Sequence, residues 1–131
     1  SAPLVDKLEE IIDPGAQSTL MSKGYIKCIP VNFTRGLTFR ESAVIVDEAQ
    51  NMTKDELTTV LTRFGEGSKY IIVGDSLQSD INGKSGFNKI QEVFDSDECR
   101  ENGIFAYKFT DDDVVRSKIL KYIVARLAHI S

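Results

Sequence analysis

Apolar positions along this chain follow helical spacing in some stretches and strand-like runs in others. "PLVDKLEEIID" places Leu4, Val5, Leu8, Ile11 and Ile12 on one helical face, and Pro14-Gly15 is expected to stop that helix. "GYIKCIPV" is rich in β-formers, with Pro30 marking an edge or a strand end. "FTRGLTFRES" is a polar connector. "AVIVD", residues 43–47, is short, β-branched and apolar on both faces, which predicts a central parallel strand covered by helices on both sides. "MTKDELTTVLTRFGEGS" opens with Thr53 as N-cap and Glu56 as its capping-box partner. Leu57, Val60, Leu61 and Phe64 form its apolar face, and Gly65 and Gly67 are expected to end it. "KYIIVGD" predicts a second buried strand and "SLQSDINGKSG" a loop. "SGFNKIQEVF" predicts a helix with Phe87, Ile90, Val93 and Phe94 on one face. "IFAYKFT" predicts a third strand, with Phe105, Tyr107 and Phe109 read as core. "DDDVVRSKILKYIVARLAHI" predicts a long final helix, acidic where the helix dipole is positive.

Strand and helix alternate, which argues for an α/β layer with a mostly parallel sheet. In such sheets ligands sit at the carboxyl ends of the strands. Asp47, Glu48 and Asp75 all fall there.

The 131 residues predict a single domain, 41% hydrophobic and 27% charged, which is apolar enough for a core. The formal net charge of -4 is no natural match for a phosphate backbone, so contact with nucleic acid would need a local basic face. Cys28 and Cys99 are far apart in sequence and, with the lone His129, make no ordinary zinc set; two reduced thiols are expected. No apolar run approaches the ~18 residues of a membrane span. The opening "SAPLVDKLEE" is acidic and amphipathic, unlike a signal peptide, so a cytoplasmic protein is expected.

Two adjacent acids at the end of an apolar strand repel each other and are costly to desolvate, so they call for a cation or a reacting group. An apolar strand ending in Asp-Glu has the Walker B pattern of phosphate-cleaving enzymes. There the Asp holds Mg²⁺, usually through water, and the next acid can polarise the attacking water. "VDEAQN" alone is a modest signal. It gains weight from "IIVGDSLQSDI", where a second strand ends in Gly-Asp with Gln78 three residues later. Gly74 permits close backbone approach, and Gln78 carries donors that can reach a phosphate oxygen.

Taken together, "DEAQN", "LTRFGEGSK", "VGDSLQSDI", "SG" and "DVVRS...IV" resemble the PhoH-like family, which belongs with the superfamily 1 helicase-type P-loop NTPases. The resemblance runs from about Phe33 to Leu127, with "FTRGLTF" matching the connector before the Walker B strand and residues 1–32 less well matched. It implies a three-layer RecA-like fold, and ATP and Mg²⁺ as cofactors. It also implies a role in remodelling RNA or single-stranded DNA, in a bacterial cell or a phage-infected host, and a homo-oligomer is an open expectation. Carried over by position, Asp47 would bind Mg²⁺ through water and Glu48 would be the catalytic base or water-positioning residue. Gln50 would complete a DExQ-type motif at the nucleotide. Asp75 and Gln78, following Gly74, would form the sensor of the γ-phosphate, and Arg116 would bring positive charge to the phosphates. Arg63 and Arg35 are weaker candidates: Arg63 reads equally as a structural residue, and Arg35 as a connector residue that touches nucleic acid or a neighbouring subunit.

One departure matters. GxxxxGK[ST], whose backbone N–H groups and Lys cradle the phosphates, does not occur in this sequence. "NGKSG" contains Gly-Lys-Ser, but no glycine stands five residues before Gly83 and the stretch follows both acidic strands. The phosphate loop and its strand are therefore expected upstream of Ser1. On that expectation the chain is the C-terminal part of an ATPase domain, inactive by itself. The alternative is a non-catalytic interaction or nucleic-acid-binding domain of the same ancestry. A metal-dependent nuclease using Asp47, Glu48, Asp75 and Asp80 ranks below both, because glutamines at these positions suit phosphate sensing better.

Overall fold

A β–α–β unit holds the sheet in the structure, a computed structural model that describes residues 2–78, 81, 83–113 and 115–130. Strand β1 (Ala43–Val46) runs parallel to β2 (Lys69–Ile72), with Ala43 opposite Lys69 and Val46 opposite Ile72. Helix α3 (Lys54–Leu61) makes the crossover between them. The chain is therefore α/β with a small parallel sheet of two strands. The described residues divide into two compact units, residues 1–90 and 91–131.

The first unit begins with α1 (Ala2–Ile11) and α2 (Pro14–Ser22). Pro14-Gly15, expected to stop a helix, also starts one. Asp13 is the N-cap of α2 and its Oδ2 accepts from the N–H groups of Gly15 at 3.0 Å and Ala16 at 3.3 Å. Pro14 sits in the first turn, where its missing N–H is not needed. The β-rich stretch 24–31 forms no strand; a short 3-10 turn follows at Val31–Phe33.

Helix α3 starts where its capping box predicts. The Thr53 Oγ1 accepts from the Glu56 N–H at 3.2 Å, and Glu56 Oε1 accepts from the Thr53 N–H at 3.1 Å. The helix stops at Leu61, before Gly65 and Gly67, and those glycines shape the turn into β2 instead. A Cβ on Gly65 would run into the Phe39 carbonyl, and Gly67 has φ +74°. Replacing Thr53 by Ala removes one half of the box and leaves an orphan N–H at the helix start. The expected loss is about 1 kcal/mol in urea unfolding, and an unchanged midpoint would show that the cap is idle.

Apolar burial is one-sided. Leu57 and Val60 of α3 pack with Val46, Ala49 and Met52 into the core, against Val44, Ile72, Tyr70, Phe87 and Ile90. Tyr70 donates its hydroxyl to the Val60 carbonyl at 3.0 Å and stacks obliquely on Phe64 with ring centres 5.2 Å apart. Burial raises the Tyr70 pKa, partly offset by the Arg63 charge. The other sheet face is open: Ile45 is 65% and Ile71 55% exposed. The expectation of helices covering both faces of β1 is therefore not met among the described residues, and neither is the full three-layer arrangement. Period-two patterning cannot separate a strand apolar on both sides from a strand that has both sides covered.

Helix α4 (Phe87–Val93) crosses from the first unit into the second. Helix α5 (Asp97–Glu101) follows, unforeseen in the sequence. Ser96 caps it by accepting from the Cys99 N–H at 3.1 Å, and Arg100 bridges to Asp97 at 2.7 Å and to Asp95 at 2.9 Å. The predicted third strand at 104–110 is absent among the described residues. Its Phe105, Tyr107 and Phe109, read as core, are exposed, with the Tyr107 and Phe109 rings 5.0 Å apart. The long final helix is shorter than expected. Asp111–Asp113 form a 3-10 turn, Val114 lies outside the described residues, and helix α6 (Lys118–Leu127) begins after Ser117, which accepts from the Leu120 N–H at 3.3 Å. No helix among the described residues is long and apolar enough to cross a membrane.

Candidate functional site

Strands β1 and β2 are adjacent, parallel and in register, so the residues that follow them emerge side by side. The Val73 N–H donates to the Val46 carbonyl and the Ala49 N–H donates to the Val73 carbonyl, each at 2.9 Å. Backbone bonds thus tie the first acidic loop to the second beyond the last strand residues.

Asp47 leaves β1 exposed and its Oδ1 accepts from the Glu48 N–H at 2.9 Å. Glu48 is also exposed and takes the left-handed conformation, φ 54° and ψ 38°. A non-glycine residue there costs about 1–2 kcal/mol, and such strain gathers where function holds a side chain in place. The turn passes into a 3-10 segment at Ala49–Asn51, closed by the Asn51 N–H on the Glu48 carbonyl at 2.9 Å. Because both carboxylates face solvent, desolvation does not force a cation onto them.

Gln50 joins the two loops through its side chain as well. It is 3% exposed. Its Nε2 donates to Glu48 Oε2 at 2.6 Å, and its Oε1 accepts from the Asp75 N–H at 3.0 Å. Gly74 leaves room for this: a Cβ there would stand 3.1 Å from Gln50 Oε1 and 3.0 Å from the Phe87 ring. Asp75 is exposed and shapes its own loop, with Oδ1 accepting from the Leu77 N–H at 2.9 Å and its carbonyl accepting from the Gln78 N–H at 3.1 Å. The Gln78 side chain is exposed.

The "SG" of the sequence resemblance now has a structural position. Ser85 pairs with Thr53, and the Gly86 N–H donates to the Met52 carbonyl at 3.0 Å. A Cβ on Gly86 would stand 2.5 Å from Lys54 Cα, so only glycine fits against the start of α3. This clamp supports the acidic loop from its far end. Sequence reasoning gave the pair no role; a glycine beside a predicted helix start was the available signal.

The sequence candidates are therefore placed unequally. Asp47, Glu48, Gln50, Gly74, Asp75 and Gln78 lie on two adjoining loops of the first unit. Arg116 is exposed and belongs to the second unit, just before α6. Arg63 donates from Nε to the Thr59 carbonyl at 3.1 Å, near the end of α3. Arg35 lines a cleft of about 280 Å³ with Asp55, Glu56 and Thr59. Asp80 lies outside the described residues. Among the described residues, no three His, Cys, Asp or Glu side chains gather as a metal-holding set.

The sequence matches the model of the family described as PhoH-like protein over residues 1–128. The chain belongs to the PhoH-like family. It is 40% identical to a PhoH-like protein of Synechocystis over 124 residues, 93% of this chain and 37% of that protein. It is 36% identical to one from Bacillus subtilis, covering 93% of this chain and 38% of the relative. Against one from Mycobacterium tuberculosis the identity is 35%, covering 93% and 34%. The chain thus spans little more than a third of the length of these PhoH-like relatives. The family match takes in residues 1–32 as well, where motifs are sparse.

Proposed function

We propose that this PhoH-like chain carries the metal and water side of an ATP-hydrolysing site in a RecA-like, three-layer domain, whose phosphate loop comes from residues outside this sequence. The observation that carries the reading is the Gln50 link, which joins a strand-end Asp-Glu pair to a strand-end Gly-Asp loop. Asp47 fits Mg²⁺ held through water: it is a hard oxygen donor, exposed at a strand tip, and one carboxylate suffices for an ion that keeps most of its hydration shell. The metal would supply charge neutralisation on the phosphates. Glu48 orients and polarises water, and its left-handed backbone sets where its carboxylate stands. Gln78 and Asp75 report on the γ-phosphate. Arg116 supplies positive charge to the phosphates in the assembled domain. The cellular role is the coupling of ATP to remodelling of RNA or single-stranded DNA, in the cytoplasm, in a protein that self-associates.

Phosphoryl transfer depends on positioning and electrostatic stabilisation by the phosphate loop, its Lys and the metal together. The chain alone, given Mg²⁺ and ATP, is therefore expected to release phosphate at the background rate. A polypeptide extended to the length of its relatives is expected to turn over. Turnover by the chain alone that vanishes with Glu48→Gln would overturn the divided site. An extended protein that binds no nucleotide would favour a non-catalytic interaction domain, and Mg²⁺-dependent RNA cleavage would favour the nuclease.

A further inference from the structure

We infer that Gln50 is a positioning residue: its buried amide fixes the Glu48 carboxylate relative to the Asp75–Gln78 loop, so that the base and the phosphate sensor move as one body. The inference rests on the proposed ATPase site for its catalytic consequence, but not for the link itself. The amide has one workable orientation. A backbone N–H can only donate, so the oxygen must face Asp75. The nitrogen then faces Glu48, and an ionised carboxylate can only accept. A bond to a charged acceptor is among the stronger ones, and at 3% exposure water has little access to compete for it.

The surroundings keep the amide in place. Glu48 is held from its other side by Asp47 Oδ1 on its N–H. A Cβ on Gly74 would stand 3.1 Å from Gln50 Oε1, so the glycine leaves the amide oxygen its room. A displacement of the Asp75 loop therefore pulls on Gln50, and through it on the carboxylate that orients water. Gln50 acts on the reaction through Glu48, so its loss should lower kcat and leave nucleotide affinity nearly alone.

Three measurements on the full-length protein test this. The first is a melting-temperature cycle. Gln50→Glu keeps an acceptor for the Asp75 N–H but sets a second carboxylate against Glu48, so it lowers Tm; adding Glu48→Gln supplies a donor again and restores most of the loss. Additive effects would overturn the link. The second is exchange of the Asp75 amide in the unaltered protein, expected to be slowed ~10-fold or more. Exchange at the rate of an open loop would overturn the link even if the variants fail to fold. The third is the kinetic split: Gln50→Glu should lower kcat ~10-fold or more with nucleotide Kd within about 2-fold of the parent. A non-additive cycle with unchanged kcat would overturn the positioning role. An unaltered protein without ATPase activity would sink the proposed function, while the cycle and the amide exchange still decide the link.

Discussion

Glu48→Gln, in a PhoH-like protein that includes its phosphate loop, should lower ATP hydrolysis by ~10²-fold or more, the usual scale for losing a positioned general base. Nucleotide and Mg²⁺ should still bind, and binding should tighten somewhat because one negative charge near the phosphates is gone. The geometry makes this a clean substitution. A glutamine keeps the length of the side chain and an oxygen that can accept from Gln50 Nε2, so the bond now at 2.6 Å survives in form. What disappears is the ability to take a proton.

Neighbouring positions should fail differently. Asp47→Asn removes the charge proposed to hold the metal, so it should weaken the Mg²⁺ dependence of both binding and turnover. Gln78→Ala should leave binding nearly intact and lower turnover, since its contact forms mainly as the γ-phosphate is cleaved. Nucleotide affinity and single-turnover hydrolysis across a Mg²⁺ titration separate the three. If Glu48→Gln hydrolyses ATP at the parent rate, the base is elsewhere and the acid pair is only a loop.

Features decided over a few residues were legible in the sequence. The Thr53–Glu56 box is a local bargain between two side chains and two N–H groups, and the helix starts where it says. The two strand-end acid loops were equally visible, because each is an apolar run followed by a polar turn. What depends on distant partners was not legible. Residues 104–110 have a strand's alternation, yet alternation without a neighbouring edge forms no ladder. The acidic run at 111–113 has the composition of a first helical turn, yet the cap that starts the final helix is Ser117, further along. Pro14 carried both meanings at once, and Asp13 before it decides that a new helix begins.

The candidate site shows the same boundary between local and non-local information. That Asp47, Glu48, Asp75 and Gln78 share a strand-end edge followed from topology. The left-handed turn at Glu48 did not, since nothing in "DEAQ" demands a positive φ of a glutamate. The direction of the Gln50 amide was hidden too. The motif implies a place at the nucleotide, and the described bonds add a link to Glu48 and to the Asp75 backbone.

Leu57→Ala should be the most damaging single change to the first unit. Leu57 is 0% exposed and the largest fully buried side chain among the described residues. It packs with Val46, Ala49, Met52 and Val60, so it lies under both the strand and the loop that present Asp47 and Glu48. Truncation loses the transfer energy of the side chain and leaves a cavity, about 3–4 kcal/mol together. Domains of ordinary stability have only about 5–15 kcal/mol to lose, and this core is small and covers one face of the sheet. Urea unfolding should therefore shift sharply, whereas Thr58→Ala, exposed on the same helix, should change it by no more than about 0.5 kcal/mol. Because the loop rests on this core through Ala49 and Met52, nucleotide affinity should fall with stability in Leu57→Ala, unlike in Glu48→Gln. A loss below about 1 kcal/mol would mean that the loop is held chiefly by its backbone bonds to Val73 and Gly86 and not by the packing beneath it.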